Sequence, residues 1–343
     1  MIKVAIGLCW LMLFYTEPLV AEPLHPEQVG LIVNDVDPQS LAVAKYYKTA
    51  RGIPDENVIY ISFHSNGGEV SEEDFKTLRR IIVANTLPRI KAYAVTWTEP
   101  YRVGCMSVTS ALSLGVDQRL CANDCSTTLV SPLYHNGGNE MLESTIVVSM
   151  MLAGQSERDV KKLIDRGRRA DGSFPQGDAY LLRTKDARRN VRAAAYRSRF
   201  EDYESRYNDL HFMETQFLTG QPRVMFYFTG LHVVPYLGTN RFLPGAVADH
   251  LTSAGGMLTD SYQMSALRWL EAGATASYGT VVEPCNDVGK FPDPVKLIKS
   301  VEAGESLVTA YWRSVKMPGQ GVFVGDPMAA PYGKKSIDPP QVP

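Results

Sequence analysis

Apolar positions recur along this chain in two alternating rhythms. Val29–Asn34 (VGLIVN) is a short, nearly unbroken apolar run of strand length. Asp37-Pro38-Gln39-Ser40 then has the residue types of a helix start. Leu41, Ala44 and Tyr47 follow at three-residue spacing until Arg51-Gly52-Ile53-Pro54 stops the turn. Asn57–Phe63 (NVIYISF) is again strand-like. Ser71–Asn85 is helical, with Ser71 and Asp74 placed as a capping pair and Phe75, Leu78, Ile81 and Ile82 at helical spacing. Ile90–Trp97 (IKAYAVTW) supplies a third strand. Strands alternating with helices over short connections predict an α/β fold: a mainly parallel central sheet, right-handed crossovers and helices on both faces.

The rhythm breaks at Glu99. Residues Glu99–Gly138 show no period and read as a cysteine-containing insertion over the rim of the sheet. Beyond it the pattern predicts helices over Glu140–Leu152 and Ser156–Arg166 and a short strand at Asp178–Arg183. Thr184–Asp209 reads as a solvated surface helix, because Arg188, Arg189, Arg192, Arg197 and Arg199 are balanced by Glu201, Asp202 and Glu204. Arg223–Gly230 (RVMFYFTG) is aromatic and β-branched, hence a strand. Ser265–Ala272 predicts a helix feeding a small-residue strand, Gly273–Gly279 (GATASYG). Pro294–Glu302 and Ser306–Lys316 predict two more helices, and Gly321–Gly325 a last strand. After Pro331 no core-forming pattern remains. The predicted organisation is a leader over 1–21, one α/β domain over 22–331 with the insertion at 99–138, and a loose tail over 332–343.

Composition narrows the function classes. A chain of 343 residues, 45% hydrophobic, with a formal net charge of −2, lacks the basic footprint of a nucleic-acid partner. Lys3 followed by the apolar core Ala5–Tyr15 reads as an export signal cut near Ala21. That core is too short for a bilayer span, so no membrane contact is expected beyond the leader. An uncleaved anchor is the alternative. Export leaves four mature cysteines, Cys105, Cys121, Cys125 and Cys285, with three pairings open in an oxidising compartment. Free thiols and zinc are the alternatives, but Cys121-x3-Cys125 is one residue longer than a zinc knuckle. No pattern names a cofactor. The expected partner is a peptide or protein ligand of unspecified identity.

Candidate chemistry concentrates between Arg223 and Asn286. In an open α/β sheet, ligands bind just beyond the carboxyl ends of strands. Thr229, His232, Asp249, His250 and Ser253 follow or flank the Arg223–Gly230 strand, and Gly273–Gly279 delivers Glu283, Cys285 and Asn286 onto a loop. A histidine near a cysteine is the composition of a thiol nucleophile with its base. Each residue also has a plain structural reading. His232 can be a hydrogen-bonded strand-end residue, Asp249-His250 a helix-to-loop junction closing its own polar groups, and Cys285 half of a disulfide. Metal binding by His232, Asp249, His250 and Glu283 lacks any supporting spacing.

Four segments carry a resemblance: Val33–Pro54 (VNDVDPQSLAVAKYYKTARGIP), Phe242–Gly256 (FLPGAVADHLTSAGG), Gly273–Asn286 (GATASYGTVVEPCN) and Gly319–Pro331 (GQGVFVGDPMAAP). Together they resemble a family of exported bacterial proteins, which implies export and an α/β fold but no activity. Tyr227–Gly230 (YFTG), then GATASYG, then Val324–Pro327 (VGDP) are similar, in that order, to the gingipain-type cysteine peptidases of caspase-like fold. That resemblance implies a His after one strand and a nucleophilic Cys after the next. This chain departs from it. Thr229-Gly230 stands where His-Gly belongs, His232 comes two residues late, and Asp249-His250 stands near the place of the Cys. A peptidase reading therefore needs His232 or His250 with Cys285, or Ser253 as nucleophile. Two functions follow: a diverged hydrolase of the cysteine peptidase type, or a non-catalytic binding or assembly module that keeps the fold and lacks the dyad. Because Cys105 and Cys285 each follow a parallel strand, both should emerge at the carboxyl edge. This favours Cys105–Cys285 with Cys121–Cys125; Cys125–Cys285 serves almost as well.

Overall fold

A computed structural model describes residues 21–134, 145–259 and 261–334. The export signal, the start of the Glu140–Leu152 segment and the end of the tail lie outside them. The strands, in chain order, are β1 (Val29–Asn34), β2 (Val58–Ile61), β3 (Glu69–Val70), β4 (Ala92–Val95), β5 (Arg102–Val103), β6 (Met106–Ser107) and β7 (Val148–Met151). They continue with β8 (Gly177–Arg183), β9 (Asn208–Glu214), β10 (Val224–Thr229), β11 (Phe242–His250), β12 (Ala276–Thr280) and β13 (Gly321–Gly325).

Ten of these form one sheet in the order β2-β1-β4-β7-β13-β12-β11-β10-β8-β9. Two blocks are parallel throughout, β2-β1-β4-β7 and β12-β11-β10-β8-β9. β13 is wedged between them: it runs antiparallel to β12 and meets β7 at a single pair, Val324 with Met151. That single pair is parallel, but contacts at both edges show the blocks pointing the same way: Thr259, beyond β11, hydrogen-bonds Glu99, beyond β4, while the Thr275 carbonyl, just before β12, accepts from the N–H of Asp326, the partner of Arg51 at the other edge. At the opposite edge Arg51, ending the Pro38–Arg51 helix, pairs with Asp326, which follows β13, and with Asp171.

β1 shows how the core divides. Its six residues are all buried; Leu31 and Val33 join one apolar cluster while Ile32 joins the other. Side chains alternate across a strand, so this marks a sheet covered on both faces. One face packs Val43, Tyr47, Ile164, Leu297 and Trp312; the other packs Phe75, Ile82, Leu112 and Leu267. The predicted helix starts hold: Asp37 caps the Pro38–Arg51 helix by accepting from the Gln39 N–H, and Ser71 caps Glu72–Ala84 by accepting from Asp74. In that second helix Ile81 is 43% exposed, so it lies outside the buried stripe.

Four elements differ from expectation. Val148–Met151 is a buried central strand, where a helix was expected over Glu140–Leu152; an apolar run buried on both faces has no period to separate the two. Thr184–Asp209 is not one surface helix. It holds a 3-10 turn (Val191–Ala195), a single α-turn (Tyr196–Arg199) and the first two residues of β9, and it turns Arg192 into the interior. The insertion does more than skirt the rim. β5 and β6 join β3 in a small second sheet, and the Val108–Leu114 helix enters the core, with the Ser107 and Ser110 hydroxyls donating to the Gly321 carbonyl. The ordered core also runs past Pro331, since Tyr332 is buried and its hydroxyl donates to the Pro175 carbonyl.

Candidate functional site

The cysteines settle into two pairs at disulfide distance, Cys105 with Cys121 and Cys125 with Cys285, with Cα separations of 5.7 and 5.3 Å. The favoured Cys105–Cys285 and Cys121–Cys125 pairing is thus overturned, and the alternative Cys125–Cys285 pair is the one present. The antiparallel turn between β5 and β6 holds Cys105 inside the insertion, against the residue that follows Gln118–Leu120. Cys125 is left to reach the loop beyond β12. There Cys285 and Asn286 both adopt left-handed backbone (φ 56° and 58°), and the Glu283 carboxylate accepts from the Cys285 N–H at 2.7 Å. Glu283 and Asn286 therefore shape the loop, and the Cys285 sulfur is bonded to Cys125 rather than available as a thiolate.

Asp249 and His250 end β11 and, as neighbours in a strand, enter opposite faces. On one face His250 is 1% exposed. Trp269 Nε1–H donates to its Nδ1 at 2.9 Å, which puts the ring proton on Nε2, and Nε2 donates to the Met264 carbonyl at 3.1 Å. Both ring nitrogens are committed, and burial drives the imidazole down to about 3. On the other face Arg192 Nη2 meets Asp249 Oδ1 at 2.6 Å, and the pair is sealed from solvent. The guanidinium also donates to the Thr229 carbonyl and, through Nη1, to the Pro292 carbonyl, each at 3.1 Å. Burial outweighs the Arg192 charge and pushes the Asp249 carboxyl up. Asp249 Oδ2, Arg192 Nε and Thr229 Oγ1 are left without partners.

His232 is exposed on the loop after β10, where its carbonyl accepts from the Met264 N–H. Ser253 is half-buried, and its carbonyl accepts from Thr280 Oγ1. With both nitrogens of His250 bonded, that ring offers no base to Ser253 or to Cys285. Arg192 and Trp269 are the residues that sequence reasoning missed. Arg192 was hidden among arginines that looked solvated, and Trp269 inside an ordinary amphipathic helix.

Two topological switch points lie on the carboxyl edge. Between β8 and β10 the crevice is filled by the chain itself: Thr184 Oγ1 donates to the Gly230 carbonyl, and a Cβ on Gly230 would fall 2.0 Å from the Arg189 carbonyl oxygen. Between β1 and β4 the crevice is open. A cleft of about 420 Å³ there is lined by Asn34, Asp37, His64, Thr98, Glu99 and Gln155. A wider pocket of about 600 Å³ opens between Val233–Gly238 and the Leu258–Ala272 segment. Among the described residues no group of three His, Cys, Asp or Glu is placed to hold a metal ion, and no helix is long and apolar enough to cross a membrane.

No known protein family and no curated protein matches the chain. One solved structure, titled "Structure of Protease", is similar over 89% of this chain and 78% of its own, at 10% identity and a TM-score of 0.41. At that distance no residue role passes from it to this chain.

Proposed function

We propose that this protein is a non-catalytic binding or assembly module of peptidase-like, caspase-type architecture, acting on a peptide or protein ligand at the carboxyl edge of its sheet. The observation that carries this reading is the state of the two groups a thiol hydrolase would use. Cys285 is joined to Cys125, and His250 has each ring nitrogen in a buried hydrogen bond. A thiol nucleophile needs a thiolate and an imidazole free to exchange a proton. The open cleft between β1 and β4 keeps a ligand-sized space on the same edge. The disulfide pairs fit an oxidising compartment, in line with export.

Alkylation of the non-reduced mature protein tests the reading. Iodoacetamide should label none of the four cysteines, and a pooled peptide substrate library should remain uncut. Labelling of Cys285 ahead of the others, with peptide cleavage lost in Cys285→Ala, would restore the cysteine peptidase reading.

A further inference from the structure

β9 closes one end of the ten-stranded sheet. It pairs with β8 in unbroken parallel register, from Gly177–Asn208 to Arg183–Glu214. The Gly177 N–H donates to the Tyr207 carbonyl, while the Asp178 N–H turns the other way, to the Arg223 carbonyl ahead of β10. Along a strand the backbone groups face its two sides alternately. Tyr207, Asp209, His211 and Met213 therefore direct theirs toward β8, and Asn208, Leu210, Phe212 and Glu214 direct theirs outward. The Asn208 N–H is taken by Ser205 Oγ at 2.8 Å. Among the described residues the outward N–H and C=O groups of Leu210 and Phe212 have no partner, and no helix or further strand lies along that edge.

Proteins blunt such an edge with a short strand, a bulge, a proline or a lysine. β2, at the other end of the sheet, is only four residues long. β9 has seven residues and none of those devices, and its carboxylates, Asp209 and Glu214, stand away from its middle. The edge is also complementary to itself. An antiparallel second copy centred on His211 sets Leu210 opposite the copy's Phe212, and Phe212 opposite the copy's Leu210. Each of these pairs exchanges both backbone hydrogen bonds. Leu210 and Phe212 are half-buried against the core beside β9, and their exposed remainders meet across the pair. The same register sets Asp209 against the copy's Met213 and Glu214 against the copy's Asn208, so no two carboxylates oppose each other. His211 meets the copy's His211 in the closely spaced position, each ring already tied to its own Asp178 at 2.9 Å.

We propose that β9 is a self-association edge: two copies of this chain pair antiparallel through it, in the register centred on His211, and join their sheets into one. The surface is the lateral end of the sheet, so it stands independently of the ligand reading of the carboxyl edge.

Sedimentation velocity of the non-reduced mature protein, from about 1 to about 500 μM, tests the proposal. An interface built on one strand edge is small, so dimers should form with a Kd on the order of 10–100 μM. Leu210→Pro removes an outward donor and leaves the β8 ladder intact, because an edge strand accommodates proline where its N–H faces solvent. It should weaken dimerisation at least about tenfold, with its unfolding midpoint measured alongside. Cysteine cross-linking supplies a second test that does not depend on that variant. His211 is its own partner across the pair, at a spacing a disulfide spans, whereas the two Asp209 residues would lie about 14 Å apart at about 3.4 Å per residue. In a glutathione redox buffer His211→Cys should therefore give a covalent dimer, and Asp209→Cys should not. Three results would each overturn the proposal. They are a wild type that stays monomeric to about 500 μM and pairs only a foreign extended peptide or nothing, unchanged dimerisation in a folded Leu210→Pro, and cross-linking of Asp209→Cys in preference to His211→Cys.

Discussion

His250 should make the stability of this protein fall in mildly acidic solution, and a single substitution should remove that fall. The folded imidazole sits at about 3, against an ordinary value of 6.5, because it is buried and hydrogen-bonded in its neutral form. In the unfolded chain the same ring takes a proton below about 6.5. Its contribution is therefore fully present above pH 6.5 and is lost as pH falls toward 3, since only the unfolded state gains the proton. Each pH unit within that window corresponds to about 1.4 kcal/mol, so moving from pH 6.5 to 5 should lower stability by about 2 kcal/mol through this residue alone. His250→Gln keeps an oxygen for Trp269 Nε1–H and an N–H for the Met264 carbonyl but cannot titrate. It should cost about 1–3 kcal/mol at pH 7 through imperfect fit. Urea unfolding followed by tryptophan fluorescence, for both proteins at pH 7 and pH 5, isolates the effect, because every other titrating group is shared. Wild type should lose about 2 kcal/mol more than His250→Gln on acidification. An equal loss in the two proteins would refute the buried, neutral assignment of His250.

Four further outcomes are expected. Arg192→Met or Asp249→Ala alone should each cost about 3–5 kcal/mol, while the double variant should cost clearly less than the sum; strict additivity in denaturant titrations would mean that the pair does not interact. The chain-entropy relation assigns about 5 kcal/mol to Cys125–Cys285, which spans 160 residues, and about 3 kcal/mol to Cys105–Cys121, which spans 16. Replacing the first pair by alanines should therefore lower the unfolding midpoint further than replacing the second, and the reverse order would count against this connectivity. Ala276, fully buried in β12 opposite Gly325, should tolerate Leu only at a cost of about 1–3 kcal/mol, and an unchanged midpoint would place that strand elsewhere. Amino-terminal sequencing of the exported product should start near Glu22; a product starting at Met1 would remove the export reading.

The parts of the fold that were legible are those where residue pattern and local chemistry agree. β1, β2 and β4 and their two helices carry both the right rhythm and the right caps. β11 was not legible because Pro244 and Gly245 interrupt it, and both residues argue against a strand interior. In the structure the interruption is absorbed by a register shift against β10, whose pairing jumps from Val224–Phe242 to Phe226–Val247, with Gly245 at φ 90°. That shift is a tertiary event with no local signature. The site divides in the same way. Cys285 could be read from sequence as half of a disulfide, but its partner depended on the turn that holds Cys105 inside the insertion. Arg192 was unreadable because its counter-charge, Asp249, lies 57 positions away. A solvated arginine and a buried, paired one have the same neighbours in sequence.

The same particulars contrast the closely packed carboxyl edge of the β8–β12 block with the open crevice between β1 and β4. Just after β10 the chain at Arg189 crosses so close that Gly230 has no room for a Cβ. One strand over, Asp249 at the end of β11 is locked to Arg192 by an ion pair buried from solvent. A buried ion pair loses most of its solvation and is held mainly by geometry, so moving either partner to make room for a reacting group leaves the other uncompensated. Converting Asp249 to Cys would accordingly strand Arg192, and the nearest imidazole in sequence, His250, faces the opposite side of the sheet with both nitrogens bonded. At the β1–β4 crevice Asn34 Nδ2 donates to the Phe63 carbonyl, Thr98 Oγ1 donates to the Gly154 carbonyl and Thr259 bonds Glu99, around a cleft of about 420 Å³.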